Sequence, residues 1–209
     1  MRWTPDLADP ELFHITHVDN LPSISAGGLV SDARVASGTV RPTTIGDPSI
    51  KRRRLSWRLN LPPDRPCVGE FVPFYFCPRS IMLYLIHCGH AGWSQGQDHV
   101  AHLVTRVSRV AGLGRRIVFT DCSAATSYHH ASDDLRDLAT LVNWNAMPVV
   151  QWQPVKVARQ AEFLVFDAVP WTAFERIIVR DAGTAAKASL VVAQATHRPL
   201  VGIDPTWYY

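Results

Sequence analysis

Apolar residues recur along this chain with two different periods. Alternation of apolar and polar positions, the period of a half-buried strand, marks residues 12–18, Leu-Phe-His-Ile-Thr-His-Val, with Phe13 and Ile15 on one face and His14 and Thr16 on the other. Further strands are predicted over 70–76, 99–110, 116–120, 159–165, 176–180 and 199–204. Pro73 lies inside the second of these and places it at a sheet edge or a bulge. Helical spacing appears in Ile81, Met82, Leu85 and Ile86 over 79–88, and in Leu135, Leu138, Leu141 and Val142 behind a Ser132-Asp133-Asp134 cap. Asp19 or Asn20 caps a short helix that has Pro22 in its first turn and stops at Gly27-Gly28. Asp47-Pro48 opens a helix that ends near Trp57, and a last one covers 184–196. Residues 31–46, 60–69, 89–97, 121–131 and 143–158 read as loops or irregular segments. Strands outnumber long helices and keep no βαβ rhythm, so the pattern predicts an α+β domain with an antiparallel or mixed sheet.

The stretch Arg159-Gln160-Ala161-Glu162-Phe163-Leu164-Val165 stands out. Ala161, Phe163 and Val165 alternate with Gln160, Glu162 and Leu164, which sets a carboxylate into a strand entering the core. Such a group is costly unless a neighbour uses it. Two readings follow: a Glu on a half-wet face paired with an arginine such as Arg159, or a functional carboxylate.

Composition narrows the class. The 209 residues suit one domain spanning 1–209, and 47% hydrophobic with 19% charged residues is a globular balance. A net charge of +3 with a pI near 8.8 is too mild to define a nucleic-acid binder. Its distribution says more: Lys51-Arg52-Arg53-Arg54 is followed by Trp57, Arg58 and Arg65, basic charge interleaved with an aromatic. Cys67, Cys77, Cys88 and Cys122 lack C-x-x-C spacing and read as reduced thiols of a cytoplasmic protein. No apolar segment follows Met1 as in a signal peptide, and no run is long enough for a membrane span.

Familiar machinery is missing from the sequence: no G-x-x-x-x-G-K-[ST], G-x-G-x-x-G, G-x-S-x-G or H-E-x-x-H occurs. His87, Cys88 and His90 cluster, but no second ligand pair follows, so no metal site is expected. The remaining chemistry is dispersed: His14 and Thr16 on one strand face, Asn20 at the next turn, Tyr75 to Ser80 at a strand-to-helix junction, and Glu162.

Taken together these pieces resemble a known family. Phe13-His14-Ile15-Thr16-His17 with Asn20-Leu21, then Ile50 to Arg54, then Val72-Pro73-Phe74-Tyr75-Phe76-Cys77-Pro78-Arg79-Ser80-Ile81-Met82-Leu83-Tyr84, then Arg159 to Val165, look like the DarT family in order and spacing. These are DNA ADP-ribosyltransferase toxins of the DarT/DarG toxin–antitoxin pairs. The resemblance implies an ADP-ribosyltransferase-like split β-sheet with flanking helices around an NAD⁺ cleft. It implies transfer of ADP-ribose to a base of single-stranded DNA, thymine first and guanine as the alternative, and a macrodomain antitoxin, DarG-like, as partner. ADP-ribosylation of RNA or protein, and a nucleic-acid-binding module without activity, are the other readings. A monomer that needs NAD⁺ as co-substrate and no metal is expected.

On this resemblance Glu162 is the catalytic carboxylate, orienting the sugar and stabilising the oxocarbenium character that develops at the ribose carbon. His14, Thr16, Asn20, Leu21, Tyr75, Phe76 and Arg54 are the expected NAD⁺ contacts, with Tyr75 and Phe76 offering aromatic faces to nicotinamide. An arginine of the basic segment is assigned to the acceptor base, Arg53 first and Arg54 next; arginine stays protonated, so it would stabilise a developing base anion and not abstract a proton. Phosphate binding by Arg52 to Arg54 is the equal alternative. Lys51, Arg52, Arg54, Tyr128, His129 and Trp152 are the expected nucleic-acid contacts, since the segment before the Glu strand touches the acceptor in ADP-ribosyltransferases. Trp144 is assigned to the core. Cys122 stands where a glycine-like turn residue is expected.

Overall fold

A computed structural model describes residues 3–38, 40–89, 93 and 95–209. Ten strands and seven α-helices appear among the described residues. They are, in chain order, β1 (Glu11–His17), α1 (Leu21–Gly27), β2 (Leu29–Val30), α2 (Asp32–Ala36), α3 (Pro48–Ser56), β3 (Phe71–Tyr75) and α4 (Ile81–His87). Then follow β4 (Val100–Arg106), α5 (Val107–Ala111), β5 (Ile117–Thr120), β6 (Ala131–Ser132), α6 (Leu138–Leu141), β7 (Glu162–Phe166), β8 (Ala168–Val169), β9 (Arg176–Val179), α7 (Ala182–Gln194) and β10 (Leu200–Ile203).

Eight strands form one mixed sheet in the order β10-β9-β4-β1-β3-β7-β5-β6; β2 and β8 pair separately. β9 and β10 run parallel, and the other neighbours run antiparallel. The sheet is two halves. β1 is fully zipped to β4 from Glu11↔Arg106 to His17↔Val100, and β3 to β7 from Phe71↔Phe166 to Tyr75↔Glu162. Between the halves β1 and β3 share the single register pair Phe13↔Tyr75. This is the split sheet expected above.

Pro73 explains part of the split. It sits in the middle of the strand order and not at an edge or bulge. A proline has no N–H to give to β1, and its carbonyl is taken by the His14 ring, Nδ1 lying 2.8 Å from the Pro73 oxygen. Where a ladder bond would close the sheet, a side chain enters instead.

Both faces are covered. Phe74, Phe163 and Val165 pack in one core with Leu12 and Leu103, while Phe13, Val100 and Val104 pack in a second with Leu83 and Ile86 of α4. Leu164 and Phe71 belong to a third, under residues 57–68.

Four predicted boundaries move. The strand expected over 99–110 stops at Arg106 and turns into α5, because residue 107 bonds back to Pro10. The expected loop 31–46 contains α2, capped by Ser31, whose hydroxyl accepts from the Arg34 N–H. The predicted helix behind Asp134 is a 3-10 turn, Leu135–Asp137, running into the short α6, with Leu138 and Val142 buried and Leu135 exposed. The strand expected from 159 begins only at Glu162; Ala158–Gln160 form a 3-10 turn. The 89–97 turn and the His87, Cys88 and His90 cluster lie partly outside the described residues, since His90 is not among them.

Candidate active site

The gap between the sheet halves is a cavity of about 220 Å³. β1 lines it with His14 and Thr16, β3 with Pro73 and Tyr75, and β7 with Glu162. α2 contributes Asp32, α3 Ile50, Lys51 and Arg54, and α4 Ile81, Met82 and Leu85. A capped helix presents one stripe, so Ile50, Lys51 and Arg54 face inward while Arg52 and Arg53 point out and are exposed. The Asp47 side chain fixes this frame by accepting from the Ser49 N–H at 2.7 Å.

Glu162 is buried and satisfied. Its Oε2 accepts from Arg54 Nη1 at 2.8 Å. Its Oε1 accepts from the Ala124 N–H at 3.0 Å and the Ser123 hydroxyl at 3.4 Å. Its own N–H donates to Thr120 Oγ1 at 3.2 Å. The carboxylate is therefore fixed in direction by donors on both oxygens, the preorganisation that electrostatic catalysis requires.

Arg54 is 7% exposed. Burial works against its charge, but the Glu162 and Asp32 carboxylates outweigh it and raise its pKa above the ordinary value. Asp32 Oδ2 lies 3.5 Å from Arg54 Nε, and Asp32 Oδ1 3.8 Å from Lys51 Nζ. Charge thus alternates along one wall, Lys51, Asp32, Arg54, Glu162. Arg54 Nε and Nη2 are buried without a hydrogen-bond partner. Buried donors left open in a cleft call for an acceptor supplied by a ligand.

On the opposite wall, desolvation lowers the His14 pKa to about 4, against the Pro73 carbonyl, which raises it. His14 is therefore neutral; with Nδ1 donating to Pro73, Nε2 is left as an acceptor. Burial and the nearby Glu162 charge raise the Tyr75 hydroxyl above its ordinary value, so it stays protonated. Asn20 spends its amide on the scaffold, donating to Thr16 Oγ1 and the Thr43 carbonyl and accepting from the Thr43 N–H at 2.7 Å. It pins the 42–46 segment along the cavity rim.

The structure brings His14, Thr16, Asn20, Tyr75, Lys51, Arg54 and Glu162 together. It does not bring the rest. Arg53, expected at the acceptor base, does not line the cavity; the next residue, Arg54, does. Leu21 is fully buried in the core beneath α1, and Phe76 is wedged between Phe163 and Trp144. Both face away because strand and helix periodicity turns them inward. Trp144 packs on that core as expected. Trp152 is buried against Tyr84 and is no free stacking face. His129 is 2% exposed; Nε2 accepts from the Asn60 N–H and Nδ1 faces the Thr126 carbonyl, so it braces its loop. Tyr128 is 61% exposed, and Arg52 is exposed. Arg159 does not pair with Glu162. It is buried, and its guanidinium donates to the carbonyls of Arg79, Ala146, Met147 and Val149.

Sequence reasoning missed Asp32 and the Ser123–Ala124 donors. The Ser31-Asp32 start of α2 was the only local signal for the first. A backbone N–H aimed by a loop leaves no signal in residue type.

A split sheet holding a buried glutamate on one half and a neutral histidine on the other defines a class, the ADP-ribosyltransferases. Comparison with known proteins agrees. The family model described as "ssDNA thymidine ADP-ribosyltransferase, DarT" matches residues 13–209. A DNA ADP-ribosyl transferase of Thermus sp. (strain 2.9) is 34% identical over 203 residues, covering 95% of either chain. The solved structure of Thermus sp. 2.9 DarT in complex with ADP-ribosylated ssDNA superimposes with a TM-score of 0.89 at 33% identity, covering 100% of both chains. The same protein in complex with NAD⁺ gives a TM-score of 0.83 at 31% identity, covering 99% of this chain and 100% of that one. The chain belongs to the DarT family of NAD-dependent DNA ADP-ribosyltransferases.

Proposed function

We propose that this chain is a toxin that transfers ADP-ribose from NAD⁺ to thymine in single-stranded DNA, with Glu162 and Arg54 as its catalytic pair. The observation that carries the assignment of residues is the buried Glu162–Arg54 contact at 2.8 Å beside open Arg54 donors in the cavity. The family description and the NAD⁺ and DNA complexes of the Thermus relative support the substrates.

As the nicotinamide–ribose bond breaks, nicotinamide leaves with the bonding electrons and positive charge grows on the ribose carbon. The Glu162 carboxylate, aimed and held by Ala124, Ser123 and Arg54, stabilises that charge. His14 Nε2 accepts from a ribose hydroxyl, and Tyr75 gives nicotinamide an aromatic face. The base nitrogen bonds to the ribose carbon and releases its proton to solvent. Arg54 Nη2 meets the base oxygen on which negative charge gathers. The outward Arg52 and Arg53, with exposed Tyr128, suit phosphate and base contacts along the strand. The protein acts as a monomer in the cytoplasm, where DNA and NAD⁺ meet, with a DarG-like macrodomain antitoxin as partner. Among the described residues no helix is long and apolar enough to cross a membrane.

Glu162→Gln keeps the shape of the side chain and removes its charge. Nicotinamide release in the presence of a thymine oligonucleotide is expected to fall by about 10²–10³, in a protein that still unfolds cooperatively but at a lower midpoint because Arg54 loses its counter-charge. Activity within about threefold of wild type would overturn the role given to Glu162.

A further inference from the structure

One carboxylate of the cavity has no part in the steps above. Asp32 opens α2 and reaches the wall formed by α3. Its oxygens stand at ion-pair distance from two cations, Arg54 Nε at 3.5 Å and Lys51 Nζ at 3.8 Å. The guanidinium of Arg54 is gripped at Nη1 by Glu162 from the sheet side. A single bond at one nitrogen leaves a planar fork free to swivel about it. Nε and Nη2 form the opposite edge of that plane, and both are buried without a hydrogen bond. Asp32 Oδ2 stands 3.5 Å from the Nε end of this edge, an ion-pair contact without a hydrogen bond. Two carboxylates from two different elements therefore bracket one guanidinium, Glu162 by a hydrogen bond at Nη1 and Asp32 by charge near Nε, and Nη2 keeps a free donor. Lys51, on the same helix face as Arg54, balances the Asp32 charge, so the wall remains compatible with an anionic donor substrate.

We infer that Asp32 is a positioning residue for the transfer step, fixing the plane of the Arg54 guanidinium so that Nη2 faces the acceptor base. The inference rests on the role proposed for Arg54. Asp32 acts through charge and direction, so an amide of the same size cannot replace it, whereas a longer carboxylate can. Its effect belongs to the turnover of bound substrates and not to the capture of NAD⁺.

The test is steady-state transfer to a thymine oligonucleotide by wild-type protein, Asp32→Asn and Asp32→Glu. Asp32→Asn is expected to lower kcat by roughly tenfold while KM for NAD⁺ stays within about threefold, and Asp32→Glu to recover at least about half of wild-type kcat. In an Arg54→Lys background the loss from Asp32→Asn is expected to shrink, because the residue it positions is gone. A kcat for Asp32→Asn within about twofold of wild type, a loss carried wholly by KM, or a loss undiminished in the Arg54→Lys background would overturn the inference. Wild-type protein that modifies no oligonucleotide would instead overturn the functional reading on which it rests.

Discussion

Glu162 receives hydrogen bonds on both carboxylate oxygens, and the two oxygens are held from different parts of the chain: Oε2 by Arg54 of α3, Oε1 by Ser123 and Ala124 of the loop after β5. A charge held this way from several sides does not have to reorganise when a cation forms beside it. Breaking such a buried pair on one side leaves an uncompensated charge, which costs about 3–5 kcal/mol. Glu162→Gln and Glu162→Ala both leave Arg54 without this counter-charge, but the Gln amide still fills the space and its oxygen can accept from Nη1, which makes it the cleaner probe. The same scale separates the neighbouring arginines. Arg53→Ala removes an exposed side chain outside the cavity, and transfer at saturating DNA is expected within about twofold of wild type. Arg54→Lys keeps a charge but loses the planar fork, and transfer is expected to fall by roughly 10²-fold. Equal losses from both variants, read as initial rates on one oligonucleotide, would place the acceptor arginine wrongly. The basic run was legible in the sequence; which member faces inward was not. Moving one residue along a helix rotates the side chain by more than a quarter turn, and the phase is set by where the Asp47 cap starts the helix.

At the scale of elements, the strand that carries Glu162 is aimed by the turn before it. Arg159 fixes that turn through four backbone carbonyls drawn from the β3–α4 junction and from residues 146–149. It was legible as a basic residue three places before the carboxylate, and the alternation of a strand would turn it to the opposite face from Glu162. The two do not pair, but strand alternation is not the cause: residue 159 lies in the 3-10 turn before the strand. Irregular segments such as 143–158 have many carbonyls without ladder partners, and a buried guanidinium gathers them. Arg159→Met matches the stem and removes those donors. It is expected to lower unfolding free energy in urea by roughly 3 kcal/mol, because several buried acceptors lose their partner. A loss below about 1 kcal/mol would show that water replaces Arg159 at no great cost. The α2 helix was hidden for a related reason. Five residues are too few to show a period, and only the Ser31 cap announced it.

Over the whole molecule, the strands and most helices followed from alternation, caps and glycine stops, and the family from four motifs spread over the chain. What alternation could not supply is the order of strands, because pairing across the sheet joins segments far apart in sequence. Pro73 shows the limit well. Its sequence signal, no N–H to donate, points to an edge or a bulge; in the fold it lies mid-sheet, where the sheet opens and the His14 ring takes the carbonyl. The opening that follows from one missing donor is the cavity that holds His14, Tyr75, Arg54 and Glu162. The proposed function comes down to whether this cleft joins ADP-ribose to thymine. Incubating the protein with NAD⁺ and with thymine-only or guanine-only single-stranded oligonucleotides, then weighing the products, tests it directly. The expected result is a gain of one ADP-ribose on the thymine strand, with nicotinamide released and the guanine strand unchanged. A gain on guanine alone, or no gain on either strand with NAD⁺ intact, would contradict it.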